Sequence, residues 1–520
     1  MFLESGFMEQ LLDQMLHVQM LNQFWLTLIL IIPIVLIART VVAGTRYSPI
    51  LIIVVFGLAM GAILVVSDVA TPGLPELPIV DLMSRLTVTA LIVTFFVGGQ
   101  EIRKILSHQK LEIEDLMIQS EEEVILGTKR TQLIFILRAF FILMGIEAVK
   151  RLILGSSPDD PVHKFYPIIA YIGIVVSMIL IDYKASIKNK GQYLRKGFIE
   201  IVAIVAILVI STNIAEAIKP IIGLPQIFFA MVISSVLGGV LSNWKFGPTV
   251  RSLLFAGIPV VLAANFMVGG SRMIEAFQLT EMKSIMAYGL FGQVFWMFFG
   301  LTLLILFGRA NHIRNLAPGM AGGLSHSGLT GACTAGDLGQ EAASRAPIMI
   351  NIPFLGHVFV FSILAASAER GYLMIGWAVP IAVIGILLTV WSLKTLKSSD
   401  GKESIEVKGL IQFSLGWQLV AVFGSFSMLH FAGMSINDAS VATASAISHF
   451  GLFAAVQEGM FGELASQMIA FIFAMPFLIH PFVFGMFGKA ADSNGKMPAK
   501  VVYTLGTIGI IGVIYSLAIV

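Results

Sequence analysis

Charge is what this chain has least of. Of its 520 residues only 12% are charged and 57% are hydrophobic, where soluble domains average about 25% charged. Its formal net charge of +2 leaves no basic surplus for holding nucleic acid. The single cysteine, Cys333, excludes a disulfide within the chain and a cysteine-based metal cluster. HExxH, GxSxG and P-loop motifs are absent, and no histidine is spaced for a zinc site. The expectation is a protein that is not an enzyme and has no cofactor beyond a coupling ion. Residues 1–23 are polar and acidic and lack the positive n-region and small-residue cleavage site of a signal peptide, so the first apolar run reads as a true span.

What fills the chain is long apolar runs, with a mean hydropathy of +0.90. Spanning backbone must be helical or a closed barrel. Barrels read as short alternating segments, whereas runs of about 20 apolar residues read as helices. The expected fold is an all-α polytopic membrane protein with about 14 spans. The clusters Arg39/Arg46, Arg103–Arg130, Lys184–Lys196, Lys245/Arg251 and Arg309/Arg314 fall in alternate loops. By the positive-inside rule these loops are cytoplasmic and the N-terminus lies outside. The setting implied is a bacterial-type inner (plasma) membrane. Two Gly/Ala/Ser-rich stretches, 316–346 and 436–465, are too polar for plain spans. Keeping the loop at Lys394–Lys408 inside requires 316–346 to enter and leave on one side, and keeping Lys489, Lys496 and Lys500 inside requires the same of 436–465, so both read as re-entrant hairpins, one from each face. The hydrophilic loop 107–130 has the apolar spacing of an amphipathic surface helix.

Internal repetition carries the most information. Ser325-His326-Ser327-Gly328-Leu329 returns as Ser448-His449-Phe450-Gly451-Leu452, 123 residues on (325 to 448). At the same offset Pro353-Phe354-Leu355-Gly356-His357 pairs with Pro476-Phe477-Leu478-Ile479-His480. The spans between the copies are odd in number, so the copies are inverted, a pattern that builds sites at the bilayer midplane. A second echo pairs Thr94-Phe95-Phe96-Val97-Gly98-Gly99 with Asn265-Phe266-Met267-Val268-Gly269-Gly270. Each follows a Pro-started span, from Ser48 and from Leu224. Plain glycine helix packing accounts for it as readily as a functional repeat does.

Glycines let backbone approach a ligand, and half-helix N-termini at midplane suit a carboxylate. The expected substrate-binding residues are Ser325, His326, Ser327, Gly328, Thr330, Asn351, Ser448, His449 and Gly451. Asp337, Glu341, Gln457 and Glu458 are the candidates for ion coupling, with a Na+ site at Asp337 and Thr334, because ionisable groups at membrane depth are costly. Asp337, Glu341 and Arg345 read equally as a solvated trio at the hairpin mouth. His357, Ser445, Glu463 and His480 are further polar residues of these stretches, and Glu147 with Arg138 or Arg151 reads as a structural pair.

LPQIFFAMVISSVLGGVLSN, VVLAANFMVGG, the hairpin core Ser325–Thr334 and IMINIPFLGHVFVF together resemble the sodium/glutamate symporter family. YSPILIIVVFGLAMGAIL and LIVTFFVGGQEIRKIL resemble its N-terminal spans, so the likeness covers roughly residues 48–106 and 222–368. It implies an elevator-type, inverted-repeat symporter for a small, anionic molecule such as glutamate, driven by Na+ or H+. It also implies a static scaffold, a moving core and, by analogy, a homodimer in the lipid bilayer. On that scheme 1–23 is a polar N-terminal segment, 24–106 and 131–308 are scaffold spans, and 107–130 is the cytoplasmic loop. Residues 309–393 and 394–520 are the two core repeats with their hairpins. The family carries one Gly-Gly-His hairpin in each half, whereas residues 107–222 here hold none and Ser325 stands where a glycine is usual. The string LIVTFFVGGQEI also resembles cation/proton antiporters, whose paired core acids this chain lacks. A cation/proton antiporter and a non-transporting scaffold or lipid-handling protein are the alternative functions.

Overall fold

The computed structural model describes residues 18–42, 49–106, 129–154, 172, 190–222, 226–244, 253–307, 324, 351–353, 356, 360–361, 363–398, 403–457, 459–479, 483 and 499–520. Among these residues regular structure is helical and there is no strand. The helices are α1 (Val18–Val42), α2 (Pro49–Val66), α3 (Pro78–Arg85), α4 (Thr87–Leu106), α5 (Lys129–Leu154) and α6 (Lys190–Ile222). Then come α7 (Gln226–Val240), α8 (Ile258–Ser271) after a π turn at Leu253–Gly257, α9 (Met273–Gln278) and α10 (Thr280–Phe307). The C-terminal part holds α11 (Ile375–Ser398), α12 (Glu403–Phe431), α13 (Ile436–Ile447), α14 (His449–Gln457), α15 (Gly462–Phe477) and α16 (Ala499–Ala518). Eight described helices are long and apolar enough to cross a membrane. The protein is an all-α polytopic membrane protein. Pro33 and Pro380 sit inside α1 and α11, a placement that spanning helices tolerate because their neighbours satisfy the freed carbonyls. The outer face of α11, with Trp377, Ile384, Leu387 and Trp391 exposed, has the character of a lipid-facing surface.

The second echo is a pair of matching helix crossings. A Cβ on Gly61 of α2 would overlap the Met267 carbonyl oxygen of α8, and one on Gly270 of α8 would overlap the Leu58 carbonyl oxygen. In the other copy, a Cβ on Gly238 of α7 would overlap the Phe96 carbonyl oxygen of α4, and one on Gly99 would overlap that of Ser235. With Gly270 set on Gly99 and Gly61 on Gly238, the four contacts correspond residue for residue. The Pro-started helix of each copy therefore packs on the double-glycine helix of the other. The packing reading of these glycines is the one the geometry meets, and the swapped partners add a pseudo-two-fold relation. Hydrogen bonds fasten both crossings. Ser234 Oγ donates to Ile92 O (2.7 Å) and Gln100 Nε2 to Leu241 O (2.7 Å). On the α8 side, the Gly73 amide donates to Ser271 Oγ (2.8 Å). The buried Asn265 accepts from Ser84 Oγ (2.7 Å) and donates to Thr87 Oγ1, joining α8 to the α3–α4 corner.

The wider bundle uses the same small-residue logic. Gly506, Gly509 and Gly512 of α16 lie on Phe298, Phe295 and Phe291 of α10, so these two helices run antiparallel. Trp417 and Trp296 fill the places opposite Gly300 and Gly424, joining α10 to α12, and Trp296 Nε1 donates to Ser425 Oγ (2.6 Å). Arg138 is fully buried in α5, with its guanidinium 5.6 Å from the centroid of the Phe135 ring. Glu147 lies nine positions further along the same helix. At 1.5 Å per residue that is about 13.5 Å, so Arg138 and Glu147 do not pair with each other.

Leucine at Gly61 or at Gly238 should lower the melting temperature in detergent by a similar margin, through overpacking worth about 1–3 kcal/mol or more. Alanine at Gly376, whose Cβ meets nothing within 4 Å, should leave it unchanged or slightly higher. In the loop after α2, Thr71 donates through its amide (3.0 Å) and its hydroxyl (2.7 Å) to the Glu76 carboxylate. These bonds, the hydroxyl's foremost, hold the Glu76 carboxyl below its ordinary range. A depressed carboxyl stabilises the loop above the unfolded value and loses that effect as pH falls through the folded one. Hydrogen exchange should show Thr71 amide protection lost on acidification to below the ordinary carboxylate range, and lost at every pH in Glu76→Gln.

Candidate functional site

The second motif lies at the tip of a helical hairpin. Ser435 caps α13, accepting from the Asp438 amide (3.1 Å) and donating to its carboxylate (2.6 Å), an arrangement that favours a helix start. The helix stops at Ser448, where φ −142° and ψ 75° leave the helical region. Two bonds bracket the break: the Ser448 amide donates to Ala444 O (2.8 Å), and the Leu452 amide donates to Ser448 O (2.9 Å). Two side-chain contacts show the direction of each arm. Asn437 Nδ2 donates to Phe461 O (3.0 Å) and Ser445 Oγ to Ile472 O (3.3 Å), so α13 runs parallel to α15. The His449 ring lies 5.4 Å from Phe477, and Phe453 lies 5.5 Å from Phe473, so α14 runs antiparallel to α15. Both open ends of 436–457 thus sit beside the start of α15. The turn into α15 uses left-handed backbone at Gly459, Phe461 and Gly462, a conformation uncommon for a residue with a side chain. The Phe461 carbonyl is the one that Asn437 holds.

At the tip the polar groups are locked in one order. His449 is buried, and its Nδ1 lies 2.6 Å from Ser445 O. A carbonyl only accepts, so Nδ1 carries the proton and Nε2 is left as an acceptor. Gln293 of α10 meets that atom with its own Nε2 at 3.2 Å, and the same amide nitrogen donates to Leu324 O at 2.9 Å. The Leu324 carbonyl fixes which way the amide faces, and this agrees with the histidine tautomer that Ser445 sets. Leu324 and Ile447 hold the same place in the two copies, each immediately before the repeated serine. One side chain therefore touches both His449 of the second motif and Leu324, the residue that precedes the first. Gln293 is the fourteenth of the 28 residues of α10, about 20 Å from either end. Gly289 lies against Ser445 Oγ, one turn before the contact of Gln293 with His449, so α10 runs parallel to α13. The hairpin thus opens towards the Thr280 end of α10, while Leu324 follows Phe307, at the opposite end, by seventeen residues.

Of the expected site residues, Ser448, His449 and Gly451 come together here, all buried. A Cβ on Gly451 would meet Ser448 Oγ (2.6 Å) and the Phe361 ring (3.3 Å), so a residue of the first repeat covers the second motif. Asn351 is buried against Gly98 of α4, and the Ala470 carbonyl of α15 lies against Gly269 of α8. Each post-hairpin segment thus touches the first glycine of a double-glycine pair. Gln457 ends α14. Ser325, His326, Ser327, Gly328, Thr330, Thr334, Asp337, Glu341 and Glu458 lie outside the described residues, as do His357 and His480. Two further polar residues have a structural place: Ser445 ties α13 to α15, and Glu463 is exposed at the open end of the hairpin, bonded to Gln467 (3.1 Å). No group of three acidic, histidine or cysteine side chains suited to a metal occurs among the described residues. Gln293 was missed by the sequence reading. Its signal was a lone amide in the middle of an otherwise apolar run, GLFGQVFWMFF, a placement that marks functional residues in membranes.

Alanine at His449 or leucine at Gln293 strands buried partners of the other residue, and each should destabilise the protein by about 1–3 kcal/mol. A double-mutant cycle on thermal unfolding should then show clear non-additivity, since both changes break one network; simple addition would mean that the two side chains do not interact. No protein-family model, curated protein or solved structure matches this chain.

Proposed function

We propose that this protein is an ion-coupled (Na+ or H+) secondary transporter of a small carboxylate such as glutamate, working by elevator-type movement in the plasma membrane. The observation that carries this reading is the bridge at Gln293 between Leu324 O and His449 Nε2. His449 of the second motif and Leu324, next to the first, share a single amide half-way along an apolar helix. Secondary transporters place their sites at such a junction, using interrupted helices whose ends face the substrate. The first turn of α14, opening at Ser448, presents positive dipole towards the tip, and a carboxylate is the natural guest there. Ser448, His449 and Gly451 line the substrate side from the second repeat, and Ser325–Thr330 with Asn351 from the first. Asp337, Glu341, Gln457 and Glu458 serve the coupling ion. In this reading 436–457 enters the bilayer re-entrantly. α10, which the sequence assigns to the scaffold, travels with the core because it holds His449 and Leu324. The scaffold pairs to form a homodimer, and the N-terminus faces outward.

The test is uptake of labelled glutamate into liposomes holding the purified protein. Accumulation should follow an imposed Na+ or pH gradient and collapse when an ionophore dissipates it. Ser327→Ala, Asp337→Asn and His449→Ala should each cut the initial rate severalfold. Wild-type rates in all three would overturn the site. Gradient-independent behaviour, or cation flux coupled to protons without any organic substrate, would overturn the symporter.

A further inference from the structure

Among the eight described helices long enough to span a membrane, α11 and α16 bury the smallest share of their residues. Their small residues face inward. A Cβ on Gly385 of α11 would meet Leu419 Cβ of α12 (2.6 Å), and Gly506, Gly509 and Gly512 of α16 lie on α10. What faces outward is bulky. On α11, Ile384, Leu387, Trp391 and Lys394 follow one another at helical spacing, all exposed. On α16, Lys500, Tyr503, Thr507, Ile511 and Ile514 form a matching exposed stripe. Helices that meet in a membrane do so through small residues, so these two stripes suit lipid rather than a second copy of the chain.

Both stripes carry their lysine at the same end of the bundle. Gly416 of α12 lies against the Thr389 amide nitrogen of α11 and Gly409 against Leu396, so α11 and α12 run antiparallel. Trp417 opposite Gly300, with Trp296 opposite Gly424, sets α12 antiparallel to α10, which is itself antiparallel to α16. α11 and α16 are therefore antiparallel, and the last turn of one shares an end with the first turn of the other. The same contacts give the depth. Thr389 lies at Gly416, Trp417 beside it lies at Gly300, and Phe298, two residues back, lies at Gly506. Lys394 is five residues outside Thr389 and Lys500 six outside Gly506, about 7.5 and 9 Å along their helices. On each helix an aromatic ring stands one turn nearer the middle, Trp391 at 65% and Tyr503 at 72% exposure. A ring followed by a lysine is the order in which side chains pass from hydrocarbon to headgroups. Neither lysine has an ion-pair partner among the described residues. Lys408 is exposed at this end too, and Glu403 and Glu406 there belong to α12, a mostly buried helix. The opposite end is mixed, with Glu281, Glu369 and Glu463 exposed beside Lys283 and Arg370.

We infer that this end of the bundle holds acidic phospholipid headgroups at two places, Lys394 beside Trp391 and Lys500 beside Tyr503. The acyl chains lie along the two apolar stripes, and each ammonium meets a phosphate. The inference needs only the membrane-spanning fold and is independent of the transport reading.

Photo-crosslinking of the full-length protein tests it. Benzoylphenylalanine is placed at Leu387 of α11 and, separately, at Thr507 of α16. The protein is reconstituted into phosphatidylcholine vesicles with a minor share of phosphatidylglycerol, and the adducts are identified by mass. Phosphatidylglycerol should be enriched among the adducts about fivefold over its share of the vesicle, the worth of one lysine near an acidic headgroup. Raised salt should reduce the enrichment. Lys394→Gln should return the adducts of the α11 probe to the vesicle composition and leave those of the α16 probe unchanged, and Lys500→Gln should do the reverse. Lys394→Arg and Lys500→Arg should keep the enrichment. Adducts that mirror the vesicle composition with both lysines present, or enrichment that survives the glutamine substitutions, overturn the inference. Cross-linking of either probe to a second copy overturns it as well, because protein then covers the stripe.

Discussion

A helix that stops in the buried interior of a protein leaves carbonyl groups with no water to turn to. Everything at the centre of this protein answers that constraint. α13 ends at Ser448, the Ser445 carbonyl takes the proton of the His449 ring, and the ring's other nitrogen meets Gln293. The amide nitrogen has a second hydrogen, which it gives to the carbonyl of Leu324, the counterpart of Ile447 in the other repeat. Each link fixes the next, because a carbonyl sets the tautomer and the tautomer sets the amide. Such a chain needs the second motif and Leu324 side by side, and α10 is the helix that both of them touch.

Around this centre the frame is built from backbone on backbone. Without a hydrophobic force between helices in lipid, close contact of small residues supplies the packing energy. Gly61, Gly270, Gly99 and Gly238 each seat a carbonyl oxygen of a neighbouring helix where a Cβ would be. The exchange of partners between the copies means that neither copy packs fully without the other. Further contacts reach outward, with the Asn351 side chain against Gly98 and the Ala470 carbonyl against Gly269. The outer repeat thus frames the inner one, and the two echoes in the sequence belong to one architecture.

Hydropathy made most of the helices legible, because a run such as that of α10 has no other stable form in lipid. The repeat made the tip legible: Ser448-His449 stands where Ser325-His326 does, and the break falls at that serine. The corresponding first stretch lies outside the described residues except at Leu324. What the sequence did not disclose was pairing. Nothing in a double glycine says which helix it will meet, so the exchange of α2 and α7 partners is visible only in three dimensions. Gln293 has no second copy to announce it, and its importance comes from what it touches. Glu463 and Ser445 were legible as polar residues, but burial and partners decide their roles: one is exposed at the hairpin mouth, and the other is a bond between α13 and α15.

Magic-angle-spinning NMR of the protein in lipid, with nitrogen-15 in glutamine side chains and histidine rings, reaches the central contact directly. The account predicts a through-space correlation between Gln293 Nε2 and His449 Nε2, 3.2 Å apart. It also predicts a His449 ring whose Nδ1 is protonated and whose Nε2 is bare. A well-resolved His449 ring with no glutamine neighbour, or with its proton on Nε2, would contradict it.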